Sequence, residues 1–249
     1  MILAALMAAS CRSNTGAASP RVVVAAAANL TDAAQLLGRE FEAQTKIHAV
    51  FSFASTAQLA SQIENGAPFD VFLAADATHV DQLDEKHLLT PGSSAVYAQG
   101  ILALWVPSRT DVIKKIEDLT HPDVQVIALA KPELAPYGEA AREALQQAGI
   151  WNAVQSKIVY AENVNGAKQY GVSRNADAAL LPYSLVLKES GEVIQIPESQ
   201  HRPIVQKLGI VAASPRLPEA QKFVDFVLHG GGQEIFQRNG YRPPIIGAQ

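Results

Sequence analysis

Residues 21–33 read Arg21-Val22-Val23-Val24-Ala25-Ala26-Ala27-Ala28-Asn29-Leu30-Thr31-Asp32-Ala33. The unbroken apolar run 22–26 has the length of a strand buried on both faces. It turns at Asn29 into a helical pattern over about 30–45, with Leu36, Leu37 and Phe41 on the inner side. A buried strand that feeds straight into a helix opens a βαβ unit. The same succession follows at once: strand 49–53, helix 57–65 ending at Gly66, and strand 69–74 closed by Ala75-Asp76. A second set takes in strands 102–106 and 124–128, helix 139–149, strand 157–160, helix 166–170 and strand 178–181. Strand 208–212 and helix 219–229 close the chain near Gly230-Gly231-Gly232, and no internal repeat is evident. The expected fold is therefore α/β and two-lobed, each lobe a mainly parallel sheet flanked by helices, with a ligand cleft between the lobes. The expected division is signal and tether 1–20, lobe 1 from 21–97 and 205–249, and lobe 2 from 98–204.

The 249 residues suit two modest domains, and 48% hydrophobic against 18% charged residues is the balance of a folded globular protein. With 20 basic and 24 acidic residues, net charge −4, the chain offers no basic surface for phosphate backbones, so nucleic acid is not an expected partner. Residues 1–10 are apolar and Ala-rich, too short to span a bilayer, and read as an export signal ending at Cys11, the sole cysteine. Ala8-Ala9-Ser10-Cys11 has the small residues of a lipoprotein signal, with Ala8 where such signals usually carry Leu and without an opening positive segment. A cleaved soluble signal and a lipid anchor through Cys11 both stay open, and either takes the protein out of the cytoplasm. Residues 12–20 read as a tether. One cysteine makes no intramolecular disulfide, so the core alone must hold the fold.

Four strand-to-helix turns carry the chemistry: Ala28-Asn29, Ser55-Thr56, Pro136-Tyr137-Gly138 and Asn163-Val164. Each delivers unpaired N–H groups at a helix start, where the helix dipole favours an anion. Taken singly, Ser, Thr or Asn before a helix is more often a plain cap. Together, blocks 26–33, 51–56, 66–76, 136–138 and 236–241 are similar in order and spacing to the molybdate-binding protein family, over about residues 21–241. The resemblance implies a type II periplasmic binding protein, a monomeric carrier of molybdate or tungstate for an ABC permease, without cofactor or catalysis. It implies an oxyanion held by neutral donors at Ala28, Asn29, Thr56, Tyr137 and Val164. Asn29 and Thr56 stand where many relatives have Ser, and Pro182 stands where many place a Tyr hydroxyl on the anion. Tyr137 is then expected to supply that hydroxyl, with Tyr183 as fallback and Ser55 as a further candidate.

Other classes find less support. A carrier for sulfate or thiosulfate is the nearest alternative. An enzyme would need a motif, and there is no Gly-x-Ser-x-Gly elbow, no phosphate-cradling Lys-Ser/Thr loop and no paired His at metal-ligand spacing. Asp70 and Asp76 read as residues that fix a turn, and a regulator's sensing domain would carry a helix-turn-helix where this chain has an export signal.

Overall fold

The computed structural model describes residues 19–108 and 111–244. The expected export signal, Cys11 and most of the expected tether lie outside the described residues. Strand β1 (Arg21–Ala27) passes through a tight turn (Ala28–Leu30) into helix α1 (Thr31–Thr45). Strand β2 (His48–Ala54) leads to α2 (Thr56–Glu64) and β3 (Val71–Leu73) to α3 (Thr78–Glu85), before β4 (Ala95–Gly100) and β5 (Leu102–Val106). Strand β6 (Ile127–Ala130) leads to α4 (Pro136–Gln147) and the short α5 (Trp151–Val154). Strand β7 (Ile158–Ala161) leads to α6 (Val164–Val172), and β8 (Ala178–Pro182) to the short α7 (Tyr183–Val186). Strands β9 (Glu192–Gln195) and β10 (Ile204–Ile210) precede α8 (Leu217–His229) and α9 (Gly232–Arg238).

These elements form two sheets, in the orders β2-β1-β3-β10-β4 and β7-β6-β8-β5-β9. The sheets share one plan. In each, three strands run parallel and a fourth joins them antiparallel, β10 against β3 in one and β5 against β8 in the other. Strand β4 stays in the first sheet to Gly100, so the chain crosses at Ile101 rather than near the expected Tyr97. It returns between β9 and β10.

Burial explains why the apolar runs were readable. Val24 and Ala26 of β1 pack with Leu37, Phe41 and Phe223 on one face, while Ala25 packs with Leu59, Phe72 and Leu83 on the other. Leu36 is only half-buried. The second lobe closes around Trp105, Leu129, Leu145 and Leu181. Asp70 is fully buried, accepting from Val23 N–H (2.6 Å), Ser214 Oγ (2.6 Å) and Arg216 Nε (2.8 Å), a charge kept inside because it is paired. Strands β4 and β9 and helices α3 and α9 escape a periodicity reading, and the expected strand 208–212 in fact starts at Ile204 and ends at Ile210. Polar residues interrupt these segments: Gln99 in β4, and Gln206 with Lys207 in β10.

Candidate functional site

Because the sheets share a plan, β1 and β2 of the first lobe correspond to β6 and β7 of the second. Their carboxyl ends meet across the cleft. The first lobe brings Ala28, Asn29, Ser55 and Thr56 to a small cavity, and the second brings Tyr137 and Val164. Ala27, Ala75, Ala135, Pro136 and Asn163 complete the wall, and among the described residues no charged side chain lines it. The space open to the centre of a water-sized sphere is about 10 Å³, room for one compact group rather than an extended molecule.

Three of these residues open helices. Thr56 and Val164 are the first residues of α2 and α6, and Tyr137 is the second of α4, after a Pro136 that has no N–H to offer. N–H groups in a first turn have no carbonyl partner in their own helix, so they point outward as donors. Gly138 lets α4 start this close to β6, because any side chain there would strike the Ala130 carbonyl. The Thr56 hydroxyl accepts from Ala75 N–H (3.2 Å), which leaves its proton to donate elsewhere. The Ser55 hydroxyl donates to Gln58 Oε1 (2.8 Å) and is committed to capping the start of α2. Asn163 caps α6 by accepting from Gly166 N–H (3.1 Å).

Asn29 is held differently. It is 2% exposed, and its Nδ2 lies 2.9 Å from Gln206 Oε1 and 3.3 Å from the Tyr241 hydroxyl, which donates to the Asn29 carbonyl (2.6 Å). Gln206, fully buried in β10, places Nε2 3.0 Å from the Tyr137 hydroxyl and Oε1 2.8 Å from that of Tyr97. Burial pushes the phenols of Tyr97, Tyr137 and Tyr241 well up, so all three stay protonated at neutral pH. Tyr137 reaches across the cleft over Gly100, where a side chain would occupy the space of its phenol. Its hydroxyl meets Gln206. Further bonds join the lobes: Ala57 N–H to Leu134 O (3.2 Å), Asn165 Nδ2 to Thr31 Oγ1 (2.7 Å) and Ser184 Oγ to Asn29 O (3.3 Å).

Ala28, Asn29, Ser55, Thr56, Tyr137 and Val164 thus come together. Tyr183 does not: its N–H donates to Ile101 O (2.8 Å) and its ring packs on Gly240, away from the cavity wall. The sequence reading gives Gln206 and Tyr97 no role in the site, and Tyr241 stands in it only as the end of block 236–241. The available signal was Gln206, a polar residue in a strand otherwise destined for the core.

A larger groove of about 490 Å³ adjoins the cavity and shares Ala75, Ala135 and Pro136 with it. Its wall carries Asp76, His79, Glu133, Glu139, Glu143 and Arg202. Asp76 accepts from His79 N–H (3.1 Å) and meets His79 Nδ1 (2.7 Å), and so fixes the turn into α3. Among the described residues no group of three or more His, Cys, Asp or Glu is placed to hold a metal ion.

The chain is 34% identical over 232 residues to the molybdate-binding protein ModA of Rhodobacter capsulatus, covering 90% of this chain and 89% of that one. It is 33% identical over 229 residues to ModA of Azotobacter vinelandii, covering 90% and 91%. The solved periplasmic molybdate-binding protein of Azotobacter vinelandii superposes with a TM-score of 0.87 at 29% identity, over 90% of this chain and 99% of that one. Residues 22–242 match the model of the bacterial extracellular solute-binding proteins, and the chain belongs to that family.

Proposed function

We propose that the chain is an extracytoplasmic carrier that captures molybdate or tungstate between its lobes and hands it to an ABC permease, performing no reaction on it. One observation carries this reading: the interlobe cavity is walled by first-turn residues of three helices, an amide and a hydroxyl, with no charged side chain among the described residues. The donors are the backbone N–H groups at Ala28, Thr56, Tyr137 and Val164, the Thr56 hydroxyl and the Asn29 side chain. Fixed dipoles in a dry site bind a dianion strongly, each charge-assisted bond being about twice as strong as a neutral one. They also sort anions. Monohydrogen phosphate brings a proton that finds no acceptor in a ring of donors, at a cost of about 1–3 kcal/mol. Sulfate matches molybdate in charge and shape and is smaller, so it is the competitor that only cavity size rejects. Export, either as a soluble protein or held by a lipid on Cys11, fits a family of extracellular proteins.

Melting curves and calorimetry of the purified protein with molybdate, tungstate, sulfate and phosphate test the assignment. Ligand at a thousandfold excess over Kd adds about 4 kcal/mol of stability. Molybdate and tungstate should each raise Tm by several degrees. An equal rise with phosphate would overturn the donor-only site, and a larger rise with sulfate would move the assignment to a sulfate carrier.

A further inference from the structure

Resting on the oxyanion reading, the polarity of the Asn29 amide matters: its NH₂ would attract the ligand and its carbonyl oxygen would repel it. The two ends of a carboxamide have the same shape, so hydrogen-bond accounting assigns them. With Asn29 Nδ2 toward Gln206 Oε1, two groups fare badly. Tyr97 has one proton for two oxygens, Ala74 O and Gln206 Oε1, each 2.8 Å away. Asn29 Oδ1 is buried without a partner, on a residue of the cavity wall.

Turning both amides over removes both faults at once. Gln206 Nε2 then donates to the Tyr97 oxygen and to Asn29 Oδ1, and Tyr97 gives its proton to Ala74 O. Gln206 Oε1 accepts the Tyr137 proton across the 3.0 Å contact. Tyr241 keeps its bond to the Asn29 main-chain carbonyl in either arrangement, and the one bond given up is the long 3.3 Å contact from the Asn29 amide to the Tyr241 oxygen. The end left over is the Asn29 NH₂, with protons to give. We infer that Gln206 is a positioning residue for anion specificity: its amide holds the Asn29 oxygen away from the cavity, making Asn29 a donor only and closing the site to protonated oxyanions. Tyr137 belongs to the same device, orienting Gln206 through its hydroxyl.

The test is a double-mutant cycle of Gln206→Met and Asn29→Ser, read by calorimetry as the ratio of molybdate to phosphate affinity. Freed from Gln206, the Asn29 amide can turn its oxygen toward a phosphate hydroxyl, so Gln206→Met should lower the ratio about tenfold. A serine at position 29 already donates or accepts, so the same change in the Asn29→Ser background should leave the ratio nearly constant. An unchanged ratio beside Asn29, or an equal fall in both backgrounds, overturns the inference. Should Gln206→Met fail to fold, NMR of the wild-type protein decides, since molybdate must shift the Asn29 side-chain NH₂ resonances, and unmoved resonances overturn the role. Wild-type protein that binds no oxyanion overturns the carrier reading and this one together. Wild-type protein that binds molybdate while the cycle fails overturns only Gln206.

Discussion

The cavity and the groove beside it share three residues and almost nothing else. Among the described residues no charged side chain lines the cavity, whereas the groove sets Asp76, Glu133, Glu139 and Glu143 against His79 and Arg202. Groove charges are partly hydrated, and several are already engaged: Glu139 pairs with Arg142 (2.6 Å), and Arg202 with Glu143 (2.5 Å) and Glu139 (3.2 Å). Such pairs are screened by water and salt and contribute little. Dipoles in the cavity cannot be screened and need not reorganise, so fewer and weaker groups hold a dianion better there. The carboxylates outside also make the groove a poor resting place for an anion.

Changing the charge in each region breaks the comparison most sharply. Asn29→Asp puts a carboxylate at the cavity wall, where two unit charges about 4 Å apart repel by about 4 kcal/mol at an effective dielectric of 20. At 1.4 kcal/mol per tenfold, molybdate affinity should fall by about three orders of magnitude in calorimetry. Glu143→Gln, which removes a charge from the groove, should change it by less than about threefold. Comparable effects from the two variants would show that the cavity is not insulated from its surroundings.

Tyr137→Phe has the next largest effect, and it separates two roles. If the hydroxyl served the anion, its loss would weaken binding about tenfold to a hundredfold and leave the unliganded protein unchanged. The structure gives that hydroxyl to Gln206 instead. Tyr137→Phe should therefore cost about 1–3 kcal/mol of stability by leaving a buried amide underserved, and reduce affinity by less than about fivefold. Denaturant unfolding and calorimetry on one preparation distinguish the outcomes. Unchanged stability with a tenfold loss of affinity would return the hydroxyl to the ligand.

How much of this was legible in the sequence follows from what each element is made of. Strand β1 and helix α1 were readable because β1 packs on both faces, with only Val23 of residues 22–26 partly exposed, and Leu37 and Phe41 repeat at helical spacing. The turns at Asn29, Thr56, Tyr137 and Val164 stood out by strand-to-helix grammar, and their convergence required two sheets of one plan, which no repeat in the sequence betrays. Strands β4 and β10 were missed or misplaced because polar residues punctuate them, and those same residues support the site. Gln206 in β10 orders Asn29, and Tyr97 in β4 orders Gln206. A periodicity reading discounts a strand for the polar residues that make it useful. Tyr241, 212 positions from Asn29, meets it only because the C-terminal segment folds back over the first lobe. Such a contact is tertiary and has no local signature.

The smallest effect should come from the groove's own titratable pair. His79 and Asp76 approach to 2.7 Å, with side chains 25% and 21% exposed. The hydrogen bond to Asp76 raises the His79 pKa above its usual 6.5, outweighing the opposing effect of burial, and the charges of Asp76 and Glu64 add to it. A folded-state pKa above the unfolded one means that the native protein holds the proton more tightly. The pair's contribution to stability is therefore complete below about pH 6.5 and is lost as pH rises through the raised value. His79→Gln should destabilise the protein by less than about 1 kcal/mol, since the pair is partly exposed and screened. That difference from wild type should be larger at about pH 5.5 than at about pH 8.5. Urea unfolding of both proteins at the two pH values measures it, and a difference that is flat or grows with pH would refute the pairing. Molybdate affinity should be the same in both proteins at either pH, because the imidazole lines the groove and not the cavity. A pH-dependent affinity that vanishes in His79→Gln would mean instead that the groove's charge reaches the anion.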